Sequence, residues 1–87
     1  MEGKEDSDLL ERIRKDGRIF EENIKLVDNS MLTTRELKKI VDLAVMYASD
    51  SESYIKKNDL PTAFSCISYA HGLLDAALLL MGIERYK

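Results

Sequence analysis

Three residues near the C-terminus have the types of a hydrolytic triad. Ser68, His71 and Asp75 are spaced at i, i+3 and i+7, so on a helix they share one edge and supply a nucleophile, a base and an acid that orients the base. All three would lie on one straight helix, whereas a triad draws its members from separate elements. No glycine-rich turn nearby offers an oxyanion hole. We therefore expect no catalytic residues and predict that the protein is not an enzyme.

The same histidine belongs to a broader polar edge of a predicted helical hairpin. If the helix that carries His71 folds back on the preceding helix, Tyr47 comes opposite His71. We expect His71 to be half-buried and hydrogen-bonded to Asp75 or Tyr47. If the protein binds a small ligand or nucleotide as an accessory module, this edge is the candidate site. Its members are Tyr47, Asp50, Tyr54, His71 and Asp75.

A metal site has little support in the sequence. The chain contains one cysteine, Cys66, and one histidine, five positions away. On a helix that spacing separates the two side chains by about 140°, which excludes a local thiolate–imidazole pair. The carboxylates are not clustered at ligand spacing, so we expect no metal and no cofactor.

A basic strip on the first predicted helix is the alternative candidate for contact with nucleic acid. Carboxylates at Glu11, Asp16, Glu21 and Glu22 interrupt it. A solvated helix face accounts for this mixture better than a phosphate-binding surface, so we do not expect a nucleic-acid partner. The strip comprises Arg12, Arg14, Lys15 and Arg18.

Apolar residues at helical spacing predict the three elements that position these residues. The predicted helices cover about 7–28, 34–57 and 60–82. The second begins at Thr33 or Thr34, where Thr33 to Glu36 match a capping box. The third follows an Asp59 cap, and Asn58 and Gly82 are candidate left-handed helix ends. Gly17 lies in the apolar stripe of the first helix, where it would permit close approach of another helix. The prediction is an all-α, antiparallel three-helix bundle forming a single domain over residues 1–87.

The C-terminal half of the third predicted helix is apolar nearly all the way round. From Leu73 to Met81 the only charged residue is Asp75. A bundle helix needs one apolar stripe, and here a second one lies roughly opposite the first. Either the first helix covers it or a partner does, and we favour a second copy of the chain, giving a homodimer. The candidate interface residues are Tyr69, Leu73, Ala76 and Leu80.

Length and composition limit the classes of protein. The chain has 87 residues, of which 45% are hydrophobic and 33% charged, with a formal net charge of -3. These values describe a small folded domain and exclude a large cofactor-binding enzyme. The longest apolar stretch would span only about 13 Å as a helix, and the N-terminal residues do not form an apolar leader, so we expect a cytoplasmic protein without a membrane span.

Helices two and three also carry a family resemblance. The run from Tyr47 to Ile55, Asp59 in the turn, and the string Tyr69-Ala70-His71-Gly72-Leu73-Leu74-Asp75-Ala76 resemble a family of short archaeal proteins known as a domain of unknown function. Asn58 stands where members usually have glycine. The resemblance implies a small three-helix bundle and no established activity. Members are also similar to segments attached to nucleotidyltransferase-like domains, which implies an accessory or docking role.

Overall fold

A computed structural model of the protein describes residues 2–85, with side chains from residue 6 onward. Within that range the chain forms three α-helices and one short 3₁₀ helix. The helices are α1 (Glu2–Ile24), α2 (Arg35–Lys56) and α3 (Leu60–Met81), and the 3₁₀ helix covers Asn29–Met31. The molecule is an elongated plate of 48 × 22 × 15 Å. The predicted all-α three-helix bundle is confirmed.

The ends of α1 differ from the prediction. The helix begins at Glu2 and ends at Ile24, whereas the predicted span was 7–28. The carboxylate of Asp28 accepts hydrogen bonds from the amide and the hydroxyl of Ser30, at 2.9 and 3.0 Å. This local bonding competes with a continuing helix and caps the 3₁₀ turn instead.

The sequence left Thr33 or Thr34 as the start of α2, and the helix begins after Thr34. Thr34, not Thr33, is the N-cap, and its hydroxyl accepts from the Leu37 amide at 3.0 Å. The tight turn into α3 agrees with the sequence. Asn58 has a left-handed φ of 61°, and the Asp59 carboxylate accepts from the Thr62 amide.

The core is centred on α3, which packs extensively against α2 and also against α1. Leu74 and Ala77 are completely buried at the middle of this arrangement. The largest cluster of buried residues comprises Ile13, Phe20, Ala44, Leu60, Ala63, Ile67, Ala70, Leu74 and Leu78.

Helix α1 meets α2 only marginally. A groove of about 170 Å³ separates them, with Gly17 on one wall and Ala48 on the other. A Cβ added to Gly17 would have no atom within 4 Å. The prediction that Gly17 permits a close helix approach is therefore wrong, because α1 docks on α3 and leaves Gly17 facing open space.

By length and composition α3 is apolar enough to cross a membrane, with a mean hydropathy of 1.4. That property is weak evidence for a span, because the core helix of a soluble protein has the same composition. Here α3 supplies seven buried residues to the bundle.

Candidate functional site

His71 fastens α1 to α3. Its Nε2 lies 2.6 Å from the backbone carbonyl oxygen of Asp16. Because a carbonyl only accepts hydrogen bonds, Nε2 carries the proton and donates it. The imidazole also meets the ring of Phe20 edge to face, with centroids 5.9 Å apart. The histidine is half-buried, as predicted, but its hydrogen bond goes to α1 and not to Tyr47 or Asp75.

Asp75 contacts the segment that follows α3. One of its carboxylate oxygens lies 2.6 Å from a guanidinium nitrogen of Arg85, and both side chains are partly exposed. The hydrogen bond and charge of Asp75 raise the pKa of Arg85 above its usual value. Gly82, with φ 72°, ends α3 and lets the chain turn back so that Arg85 reaches Asp75.

The tyrosines of the predicted edge lie apart from His71. Tyr47 meets Tyr69 edge to face at 4.6 Å between centroids. Tyr54 lies under the ammonium of Lys57, 5.1 Å from its ring centroid.

The fifth predicted member, Asp50, lies near Cys66 on the same side of the hairpin as the tyrosines. Burial raises the pKa of the Cys66 thiol, and the negative charges of Asp50 and Asp59 raise it further. The five candidates therefore form separate contacts and do not line one pocket.

A shallow depression does border His71 on the α1 side. It has a volume of about 270 Å³ and is lined by Asp16, Ile19, Ser68, His71 and Arg85. Four of these residues were not predicted as site residues. Ser68 belongs to the triad that the sequence argues against, and the other three are Asp16, Ile19 and Arg85. Their approach to His71 depends on how α1 and the C-terminal segment dock, which periodicity does not encode.

The basic strip of α1 is partly engaged within the fold. The guanidinium of Arg12 lies 3.5 Å from the Asp16 carboxylate and 5.6 Å from the centroid of the Phe64 ring. Arg14, Lys15 and Arg18 are exposed. Arg12 therefore has a structural role in holding α1 near α3.

The predicted interface residues of α3 are mostly open to solvent. Tyr69 is 54% exposed and Leu80 70%, and Ala76 is exposed as well. Leu73 is half-buried and packs against the core. We call Tyr69, Leu73, Ala76 and Leu80 the outer stripe.

Helix α1 does not cover the outer stripe. It contacts α3 on the side of His71, and at about 100° per residue Tyr69 and Leu73 each lie about 160° around the helix from His71. The neighbouring Leu79 is 80% exposed and was not among the predicted interface residues. The continuous apolar sequence around Leu79 could have identified it as a further interface residue.

The side chains present do not form a metal centre. Among the described residues no group of three or more histidine, cysteine, aspartate or glutamate side chains is placed to hold a metal ion.

Comparison with known proteins places the chain in a family. None of the curated proteins compared with it matches. A family model described as a protein of unknown function, DUF357, matches residues 15–83. That match covers the C-terminal half of α1 and all of α2 and α3. The chain therefore belongs to the DUF357 family.

Proposed function

We propose that this protein is a non-enzymatic interaction module that docks through the outer stripe of α3. The observation that carries the proposal is the exposure of large apolar side chains on the side of α3 that faces away from α1. Tyr69 and Leu80 on that side, with Leu79 beside them, are the most exposed large hydrophobic residues among the described side chains. Small soluble domains rarely expose contiguous apolar side chains unless a partner covers them.

A second copy of the chain is the simplest partner, because a self-complementary stripe needs no other component.

A binding role agrees better than catalysis with the contacts of the polar residues. His71 is hydrogen-bonded to the backbone oxygen of Asp16. Asp75 forms a salt bridge with Arg85, and the ring of Tyr47 packs against the ring of Tyr69. Each of these contacts joins two parts of the fold. The free thiol of Cys66 fits a reducing compartment, so we assign the module to the cytoplasm.

The test is the mass in solution of the wild type and two charge variants. Multi-angle light scattering at high protein concentration should give the wild type about twice its chain mass of 9.9 kDa. Leu80→Glu places a charge on the outer stripe and should return the mass to that of a monomer.

Val45→Glu is the matched control. Val45 is 46% exposed, but it lies on α2 and not on α3. This variant should keep the mass of the wild type. A wild type that stays monomeric at high concentration would overturn self-association, and an equal loss in both variants would overturn the choice of surface.

A further inference from the structure

The outer stripe is part of a longer heptad seam on α3. Its neighbours Thr62 and Cys66 extend it, and the six positions follow spacings of four, three, four, three and four. The five spacings average 3.6 residues, so the six side chains lie on one face of α3, and their alternation of four and three is that of the seam residues of a coiled coil. The seam comprises Thr62, Cys66, Tyr69, Leu73, Ala76 and Leu80, none of which is fully buried.

The sizes of the side chains favour an antiparallel pair of α3 helices. In a parallel pair each residue meets its own copy, so Ala76 would meet Ala76 and leave a gap. In an antiparallel pair centred between positions 74 and 75, Leu73 meets the partner's Ala76 and Tyr69 meets the partner's Leu80. Large residues then face small ones at the centre, and the two most exposed large seam residues, Tyr69 and Leu80, cover each other.

A second feature beside the seam fits the same arrangement. Leu79 projects into solvent with 80% of its surface exposed. Seven positions earlier is Gly72, where an added Cβ would have no atom within 4 Å. In the antiparallel register Leu79 comes opposite the partner's Ala70 and about 3 Å along the helix from the partner's Gly72, whose missing side chain leaves room for it.

We propose that the partner at the outer stripe is a second copy of this chain, packed antiparallel with α3 against α3. The two-fold axis passes between residues 74 and 75. This inference rests on the proposed function and adds to it the partner, the orientation and the register. The helix dipoles of the two α3 helices also oppose each other in this arrangement, which is the favourable orientation.

Disulfide cross-linking tests the register. All variants carry Cys66→Ser, which removes the thiol on the seam. Tyr69→Cys and Leu80→Cys are prepared on chains with different tags, mixed and oxidised mildly. The mixture should give a cross-linked dimer that contains both tags. Either variant by itself should not, because like positions lie eleven residues apart along the antiparallel pair, about 16 Å, too far for a disulfide.

The outcomes separate the two proposals. A monomeric wild type in light scattering would overturn self-association and this inference together. A dimer in which Leu80→Cys cross-links to itself would show a parallel pair. A dimer that forms neither disulfide would show another register or surface. Either of these last two results overturns the antiparallel pairing and leaves docking intact.

A second variant checks the gap at Gly72. Gly72→Leu has room within one chain but would collide with the partner's Leu79, so the dissociation constant should rise about tenfold. Gly17→Leu is the matched control, because Gly17 is also helical and open but lies on α1. It should leave dimerisation unchanged. Unchanged dimerisation in Gly72→Leu would contradict the proposed register.

Discussion

Replacing His71 by alanine tests whether this residue holds α1 against α3. The substitution removes the hydrogen bond to the Asp16 carbonyl and the edge contact with Phe20. The carbonyl lies inside α1, where it also accepts the helical bond from the amide four residues on, so it does not become unsatisfied. The hydrogen bond then contributes about 1 kcal/mol, and the aromatic contact adds about the same again.

We expect His71→Ala to lower the free energy of unfolding by about 2 kcal/mol, measured by urea denaturation. Because α1 packs mainly on α3, amide exchange should show the greatest loss of protection in α1 and a smaller loss in the α2–α3 hairpin. Asp75→Asn is the control. It weakens the partly exposed pair with Arg85 and should cost less than about 1 kcal/mol.

Two results would refute the hypothesis that His71 holds α1 against α3. One is an unfolding free energy within about 0.5 kcal/mol of the wild type. The other is a loss of protection spread evenly over the three helices. If His71→Ala instead abolished dimerisation while the fold kept its stability, the histidine would belong to a binding site and the assignment of a structural role would be wrong.

Substitutions at three further positions test local features. Asn58→Ala should lower the free energy of unfolding by about 1 kcal/mol, because alanine tolerates the left-handed φ of 61° less well than asparagine. Asn58→Gly should not lower it, and thermal denaturation compares the two variants. Ser51→Ala should cost about 1 kcal/mol by denaturant titration, since the buried hydroxyl donates to the Ala63 carbonyl at 2.8 Å. Burial is the largest cause that raises the pKa of the Cys66 thiol, and the negative charge of Asp50 is the next largest. At about pH 8 the thiol should therefore react more slowly in the folded protein than in the unfolded chain, and Asp50→Asn should speed the reaction; equal folded and unfolded rates would contradict this.

Local signals predicted the helix ends that depend on a single residue. Asn58, Asp59 and Gly82 were recognisable because their side chains, or the lack of one, fix the backbone around them. The end of α1 was predicted four residues too late because apolar spacing continues through Val27. That residue packs against the core from the turn after the helix and not from the helix itself.

The candidate site was harder to predict because it depends on register. The sequence-based hairpin placed Tyr47 opposite His71, but Tyr47 contacts Tyr69, two residues away. A shift of two positions turns a helical residue by about 200° and moves the contact from one side of α3 to the other. The bond from His71 to Asp16 joins residues 55 positions apart, and no local pattern specifies how α1 docks. The apolar character of the outer stripe was predictable because it depends only on spacing along one helix.

The three-residue turn between α2 and α3 also bears on the order of folding. Because it joins two long helices that pack closely on each other, much of the core forms between residues that are near in sequence. Topologies dominated by such contacts lose little chain entropy before they gain contact energy and fold within microseconds to milliseconds. Helix α1 must cross a longer connection to reach α3, so we expect its docking to follow formation of the hairpin. The outer stripe, which lies on that hairpin, should then form before α1 is in place.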